Sequence, residues 1–93
     1  MTMQGNTNDS DSLRNWLVAE IAQRLEVARD QVDADAEFDE LGLDSVQAVA
    51  LSGALSDRLG QELPATLLYE HRSIRSLAEY LAQQQDSQRR LAQ

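Results

Sequence analysis

No cysteine occurs among the 93 residues, so disulfides, thiolate metal ligands and a cysteine nucleophile are excluded by counting. A cysteine-free chain fits the reducing cytoplasm, and a soluble, cytoplasmic protein is expected. Long apolar runs are also missing. No segment approaches the roughly 18 apolar residues of a membrane span, and the opening MTMQGNTNDSDS has neither the basic start nor the apolar stretch of a signal peptide. Lysine is absent altogether, all eight bases being arginine, which reads first as a compositional bias. The single histidine, His71, has no cysteine or second histidine with which to share a metal, so a surface or hinge role is expected. Basic charge is scarce: sixteen acids against eight bases give a net charge of -8. Such a surface repels nucleic-acid phosphates and anionic membranes and favours a partner carrying a basic patch. Neither nucleic acid nor membrane is therefore expected as a partner.

What is present is helical periodicity. Leu13, Trp16, Leu17, Ile21 and Leu25 recur at steps of three and four, with Ser10, Asp11 or Ser12 available as N-cap, predicting a first amphipathic helix that ends near Val27. Trp16 is taken as a core residue of that helix. From Ala28 to Asp44 the period is lost, and seven of these seventeen residues are acidic. A loop that long in a small domain points to function. A second helix is predicted from Asp44 or Ser45 to Leu59, stopped by Gly60. Its Ala48, Leu51, Ser52, Leu55 and Leu59 share one face, while Val46, Val49, Ala50, Gly53 and Asp57 share the other. Pro64 leads into a short third helix around Thr66 to Tyr69, and Ser73 caps a last helix carrying Ile74, Leu77, Ala78 and Leu81 at helical spacing. Strand-like alternation and internal repeats are both missing. The expected fold is an all-α four-helix bundle, three main helices and one short third helix, with a long loop between helices one and two. The expected division is a disordered tail over residues 1–10, one domain over 11–83 and a polar C-terminal tail over 84–93.

Within the loop, Phe38-Asp39-Glu40-Leu41-Gly42-Leu43-Asp44-Ser45-Val46 delivers one serine to the start of an apolar-patterned helix. An Asp-Ser pair in that position is, taken alone, a helix cap far more often than a chemical site. Further features shift the balance. Gly42, three residues ahead of Ser45, permits a tight turn, and Phe38 and Leu41 can anchor the loop so that the serine projects outward. A helix N-terminus presents unpaired N–H groups that would stabilise a phosphate ester on Ser45. Val46 and Val49 lie on the side of the helix opposite its core face, where two valines have no structural need to be, and are candidates for a partner-binding surface.

Other chemistry is less well served. Asp33, Asp35 and Glu37 have alternate spacing, but a calcium loop of the EF-hand kind needs Gly where Phe38 stands and Glu where Asp44 stands. A Ser-His-Asp hydrolase built on Ser45 and His71 lacks both the G-x-S-x-G elbow and the α/β scaffold. From a different class, an unmodified helical interaction module would use Ser45 only as a cap and bind another protein through Val46 and Val49.

The segment FDELGLDSVQAVAL resembles the signature of acyl carrier proteins, the phosphopantetheine-binding carrier family. The segment ELPATLLYEHRSIRSLAEYLA is similar to the second half of carrier domains of polyketide-synthase type, so the resemblance spans about residues 11–83. It implies a non-catalytic carrier that tethers acyl or polyketide intermediates as thioesters on a covalent 4'-phosphopantetheine arm. A phosphopantetheinyl transferase would install the arm from coenzyme A with magnesium. Ser45 would be the attachment residue, with Asp44 and Gly42 as flanks. The resemblance gives Leu43 and Val46 a part in partner recognition, and the acidic loop, through Asp39 and Glu40, together with the Val46 and Val49 face is expected to steer partners. The implied partners also include ketosynthase, acyltransferase and other synthase enzymes, and the carrier itself is expected to be monomeric. A chain without cysteine has no thiol of its own, which agrees with a thioester borne on an attached arm. The absence of lysine could, in addition, spare such a thioester from an intramolecular amine.

Two departures from the resemblance are instructive. Ala50 stands where the family often has Glu, and the second helix has only Asp57 as an acid beyond its start. Acidity is concentrated instead before Ser45, at Asp30, Asp33, Asp35, Glu37, Asp39, Glu40 and Asp44, with Arg29 as the only base there. That distribution favours a polyketide-type carrier over a fatty-acid or specialised-lipid carrier. Arg72 stands where the family commonly has proline.

Overall fold

A computed structural model describes residues 9–91, with side chains to residue 85. Three long helices form the frame: α1 (Ser10–Leu25), α3 (Ser45–Leu59) and α5 (Ile74–Leu91). Two single-turn helices lie between them, α2 (Phe38–Leu41) and α4 (Leu67–Glu70), with a 3-10 turn at Arg29–Gln31. No strand occurs among the described residues, and an isolated antiparallel bridge joins Glu37 to Ser73. The all-helical expectation holds, with one helical turn more than the bundle of four.

Each long helix follows from its apolar spacing. Leu13, Leu17 and Ile21 of α1, Leu51 and Leu55 of α3, and Ile74, Leu77 and Leu81 of α5 are all within 1% of complete burial and form one core. α1 packs chiefly against α5 and more lightly against α3. Caps fix the ends. Asp9, rather than the serines after it, is the N-cap of α1, its Oδ1 accepting the Ser12 N–H at 2.8 Å. That bond and a second to the Ser12 side chain hold the Asp9 carboxyl below its ordinary pKa. The helix ends at Leu25, two residues short of expectation, where Glu26 takes the left-handed conformation and its N–H bonds back to Ala22 and Gln23 carbonyls. Gly60 closes α3 as predicted, in the left-handed region at φ 69°. Trp16 is only half-buried, packed at the edge of the core with the Arg58 guanidinium 5.6 Å from its ring centre.

The first and last helices run into both expected tails. Residues 1–8 lie outside the described region, but Asp9 and Ser10 are the cap and first residue of α1. At the other end α5 does not stop near residue 83 but continues as helix to Leu91. The stretch after Leu81 has no apolar stripe to reveal it, yet Gln, Arg, Leu and Ala are good helix formers and simply extend a helix already nucleated by packing.

The long loop is fastened to the start of α5. The Phe38 N–H donates to the Arg72 carbonyl at 2.7 Å, the Arg75 N–H donates to the Ala34 carbonyl at 3.0 Å, and the Arg75 guanidinium donates to both carboxylate oxygens of Asp35. Val32 and Phe38 are buried beneath. The hydrogen bond from Arg75 holds the Asp35 carboxyl below its ordinary value of 3.8. A depressed folded value means that the contribution is fully present above pH 3.8 and is lost as pH falls through the folded pKa. In thermal melts across pH, Asp35→Asn should therefore melt below the parent at neutral pH, with the gap closing as pH falls below the ordinary carboxyl value of 3.8.

Candidate functional site

Ser45 sits where one short helix ends and one long helix begins. α2 has only four residues, and its exit is a two-bond reversal. Gly42, in the left-handed region at φ 98°, donates to the Asp39 carbonyl at 3.2 Å, and Leu43 N–H reaches back to the Phe38 carbonyl at 3.1 Å. This pairing is the Schellman arrangement, which brings the residue after the glycine against the first residue of the turn. Phe38 and Leu43 accordingly are both buried in the core. Leu43, expected to serve partner recognition, is only 8% exposed: it packs into the core and supports the turn, and the small remainder of its surface lines a cleft beside Ser45.

The next residue, Asp44, caps α3, its Oδ1 accepting the Gln47 N–H at 2.8 Å and its carbonyl accepting the Ala48 N–H at 2.9 Å. Ser45 is thus the first residue of the helix, not its cap, and its side chain is exposed. The backbone N–H groups of Ser45 and Val46 have no acceptor among the described residues. They are orphan donors of the kind every helix N-terminus leaves. An ester phosphate on Ser45 Oγ would stand in front of them.

Beside the serine lies a cleft of about 280 Å³, walled by Phe38, Leu43, Ala48, Leu68 and Tyr69, with Asp39, Asp44 and Arg72 as its charged groups. Val46 at 75% and Val49 at 59% exposure lie next to it on the open side of α3, and Tyr69 adds an aromatic ring exposed to the same degree as Val49. Asp39 is exposed. Glu40 is exposed as well, but its carboxylate accepts the Glu37 N–H at 2.9 Å and so also secures the start of α2. Leu68, Tyr69 and Arg72 were not singled out as site residues by sequence reasoning. Only the folding of α4 against α3 places them at the serine, and no local spacing announces that.

His71 is not among the residues of the cleft. Its ring stacks on Tyr80 with centroids 4.3 Å apart, and its Nδ1 is 3.2 Å from Ser76 Oγ. No group of three or more potential metal ligands exists among the described residues, and Asp33 Oδ1 is occupied by the Asp35 N–H. Among the described residues, His71 is thus engaged with Tyr80 and Ser76 and does not line the cleft at Ser45.

A helical bundle that projects one serine beside an apolar-walled cleft, with orphan N–H donors behind it, has the construction of a carrier module. A family model described as "Phosphopantetheine attachment site" matches residues 15–81, and the chain belongs to that family. Its prosthetic group is 4'-phosphopantetheine, carried covalently.

A phenolphthiocerol/phthiocerol polyketide synthase of Mycobacterium tuberculosis is 38% identical over 80 residues, 86% of this chain but 4% of the synthase. Erythronolide synthase EryA3 of Saccharopolyspora erythraea is 48% identical over 58 residues, 62% of this chain and 2% of the synthase. The chain therefore spans only a few per cent of these relatives. Among solved structures, a free-standing peptidyl carrier protein from Acinetobacter baumannii superposes with a TM-score of 0.79 at 34% identity, covering 83% of this chain and 96% of that one. The HMG-ACPI domain of the CurA module from Lyngbya majuscula gives 0.81 at 30% identity, covering 95% and 89%. No helix among the described residues is long and apolar enough to cross a membrane.

Proposed function

We propose that this chain is a polyketide-type acyl carrier, loaded at Ser45 and itself non-catalytic. The observation that carries the reading is the exposed Ser45 at the first position of α3, beside the cleft and in front of two unpaired N–H groups. In loading, Ser45 Oγ forms a bond to the β-phosphorus of coenzyme A, the pyrophosphate bond breaks, adenosine 3',5'-bisphosphate leaves, and the hydroxyl proton passes to a base on the transferase. The bound arm supplies a thiol that holds acyl groups as thioesters. The protein's part is to anchor that arm, and tethering replaces diffusion with a high effective concentration at each enzyme.

Peptidyl and acyl carriers share this fold, so the choice of cargo class rests on sequence. Leu43 is the residue typical of acyl carriers, and the mycobacterial relative described above is a polyketide synthase by name. The reading treats the carrier as a cytoplasmic monomer serving a transferase, a ketosynthase and an acyltransferase in turn. It is tested by incubating the purified chain with coenzyme A, magnesium and a broad-specificity transferase and weighing it intact. One added phosphopantetheine is expected, and an unchanged mass would overturn the assignment.

Partner approach is assigned to the Val46 and Val49 face, with Asp39 and Glu40 providing the charge. Neutralising the two acids as Asp39→Asn with Glu40→Gln leaves the residue-40 side-chain carbonyl able to accept from Glu37 and so spares α2. Transferase association should slow by about 2- to 10-fold in dilute buffer, the difference vanishing above about 0.5 M salt, as stopped-flow kinetics would show.

A further inference from the structure

Arg72 stands at the cleft without a carboxylate partner. Arg14, Arg24 and Arg75 each pair with a carboxylate, whereas Arg72, like Arg29, forms no ion pair among the described residues. The one hydrogen bond of its guanidinium is a long one, from Nε to the Tyr69 carbonyl at 3.3 Å. Its backbone is nevertheless pinned, because the Arg72 carbonyl accepts the Phe38 N–H at the start of the turn that presents Ser45. The side chain therefore has a fixed root at the cleft and lines it together with Ser45, Leu68 and Tyr69.

The other charges of that cleft are Asp39 and Asp44, both of the sign that repels a phosphodiester. Asp44 is turned to the Gln47 N–H, and Asp39 is exposed with no base paired to it among the described residues. Arg72 is thus the only cation lining the cleft among the described residues, and the fork of a guanidinium suits two phosphate oxygens.

We propose that Arg72 is a positioning residue for the prosthetic arm: its guanidinium pairs with the phosphodiester on Ser45 and turns the arm along the Leu68 and Tyr69 wall of the cleft. The proposal rests on Ser45 being the loaded residue. Arg72 takes no part in bond making. It sets how often the arm lies in the cleft and how often it swings free.

The test compares apo and holo forms of the parent, Arg72→Gln and Arg72→Lys chains by ¹⁵N and ³¹P NMR, after intact mass has established loading. In the parent, loading should shift the Arg72 Nε–Hε signal and the Leu68 and Tyr69 amides. In Arg72→Gln the phosphodiester signal should move, and the apo-to-holo shifts at Leu68 and Tyr69 should shrink. The ratio of docked to free arm should fall by about 1.5- to 5-fold, the range for a solvent-exposed charge pair. Arg72→Lys, which keeps the charge but not the fork, should recover part of both effects. If mass shows loading and the Leu68, Tyr69 and ³¹P responses are the same in parent and Arg72→Gln, the positioning role is overturned while the carrier reading stands. If the parent gains no mass, the carrier reading itself fails.

Discussion

Ser45→Ala should leave the transferase reaction at its starting mass, while the parent chain gains one phosphopantetheine and no more. The described structure gives reasons for the loss, and it shows other serine hydroxyls already engaged. Ser52 is 5% exposed and its hydroxyl donates to the Val49 carbonyl. Ser56 Oγ is held between the Ser52 carbonyl, to which it donates at 2.9 Å, and the Leu63 N–H, from which it accepts at 3.0 Å. Ser73 Oγ accepts the Ser76 N–H to begin α5, and Ser76 Oγ meets His71. Each of these hydroxyls already serves a cap, a turn or a ring, whereas Ser45 is exposed and makes no hydrogen bond of its own through Oγ. Removing Ser45 Oγ leaves the cap intact, since Asp44 supplies it, so the variant should melt within about 0.5 kcal/mol of the parent. An adduct that persists in Ser45→Ala at parent levels would move the site elsewhere.

The position of Ser45 was legible because several signals coincide there: a glycine for the reversal, an aspartate for the cap and an apolar helix period after it. The helical frame was legible for the same reason, apolar steps of three and four in α1, α3 and α5 leaving little choice of face. Other parts are silent in one dimension. Asp35 and Arg75 stand forty residues apart, and nothing in the spacing of either marks them as the clasp that ties the loop to α5. α2 is a single turn, shorter than one repeat of any helical pattern. The burial of Leu43 cannot be read from its place two residues before the serine. The Schellman reversal turns it inward, and only the hydrogen bonding from Leu43 to Phe38 reveals that. The cleft is likewise a product of tertiary packing, since α4 must fold against α3 before Leu68, Tyr69 and Arg72 reach Ser45.

Two residues of α3 separate what holds the carrier together from what it offers to others. Leu51 is completely buried, and Leu51→Ala removes its buried methyl groups and opens a cavity between α3 and the other helices, a change that costs about 2–5 kcal/mol. A domain of this size has a total stability of about 4–12 kcal/mol, so the variant should melt roughly 10–30 °C lower and show a populated unfolded fraction near physiological temperature. Val49, two positions earlier, is 59% exposed on the opposite side. Val49→Ala leaves no cavity and should shift stability by no more than about 0.5 kcal/mol. Its effect belongs to binding: transferase and ketosynthase affinity should fall by about 2- to 10-fold through lost apolar contact, with the melting curve in place. Calorimetry beside transferase kinetics at a temperature where both variants are folded separates the two. In that comparison Leu51→Ala should load at near-parental rate and Val49→Ala more slowly. A Val49→Ala chain that loads as the parent does would remove that face of α3 from the docking surface, and partner recognition would then have to rest on the acidic loop and on Tyr69.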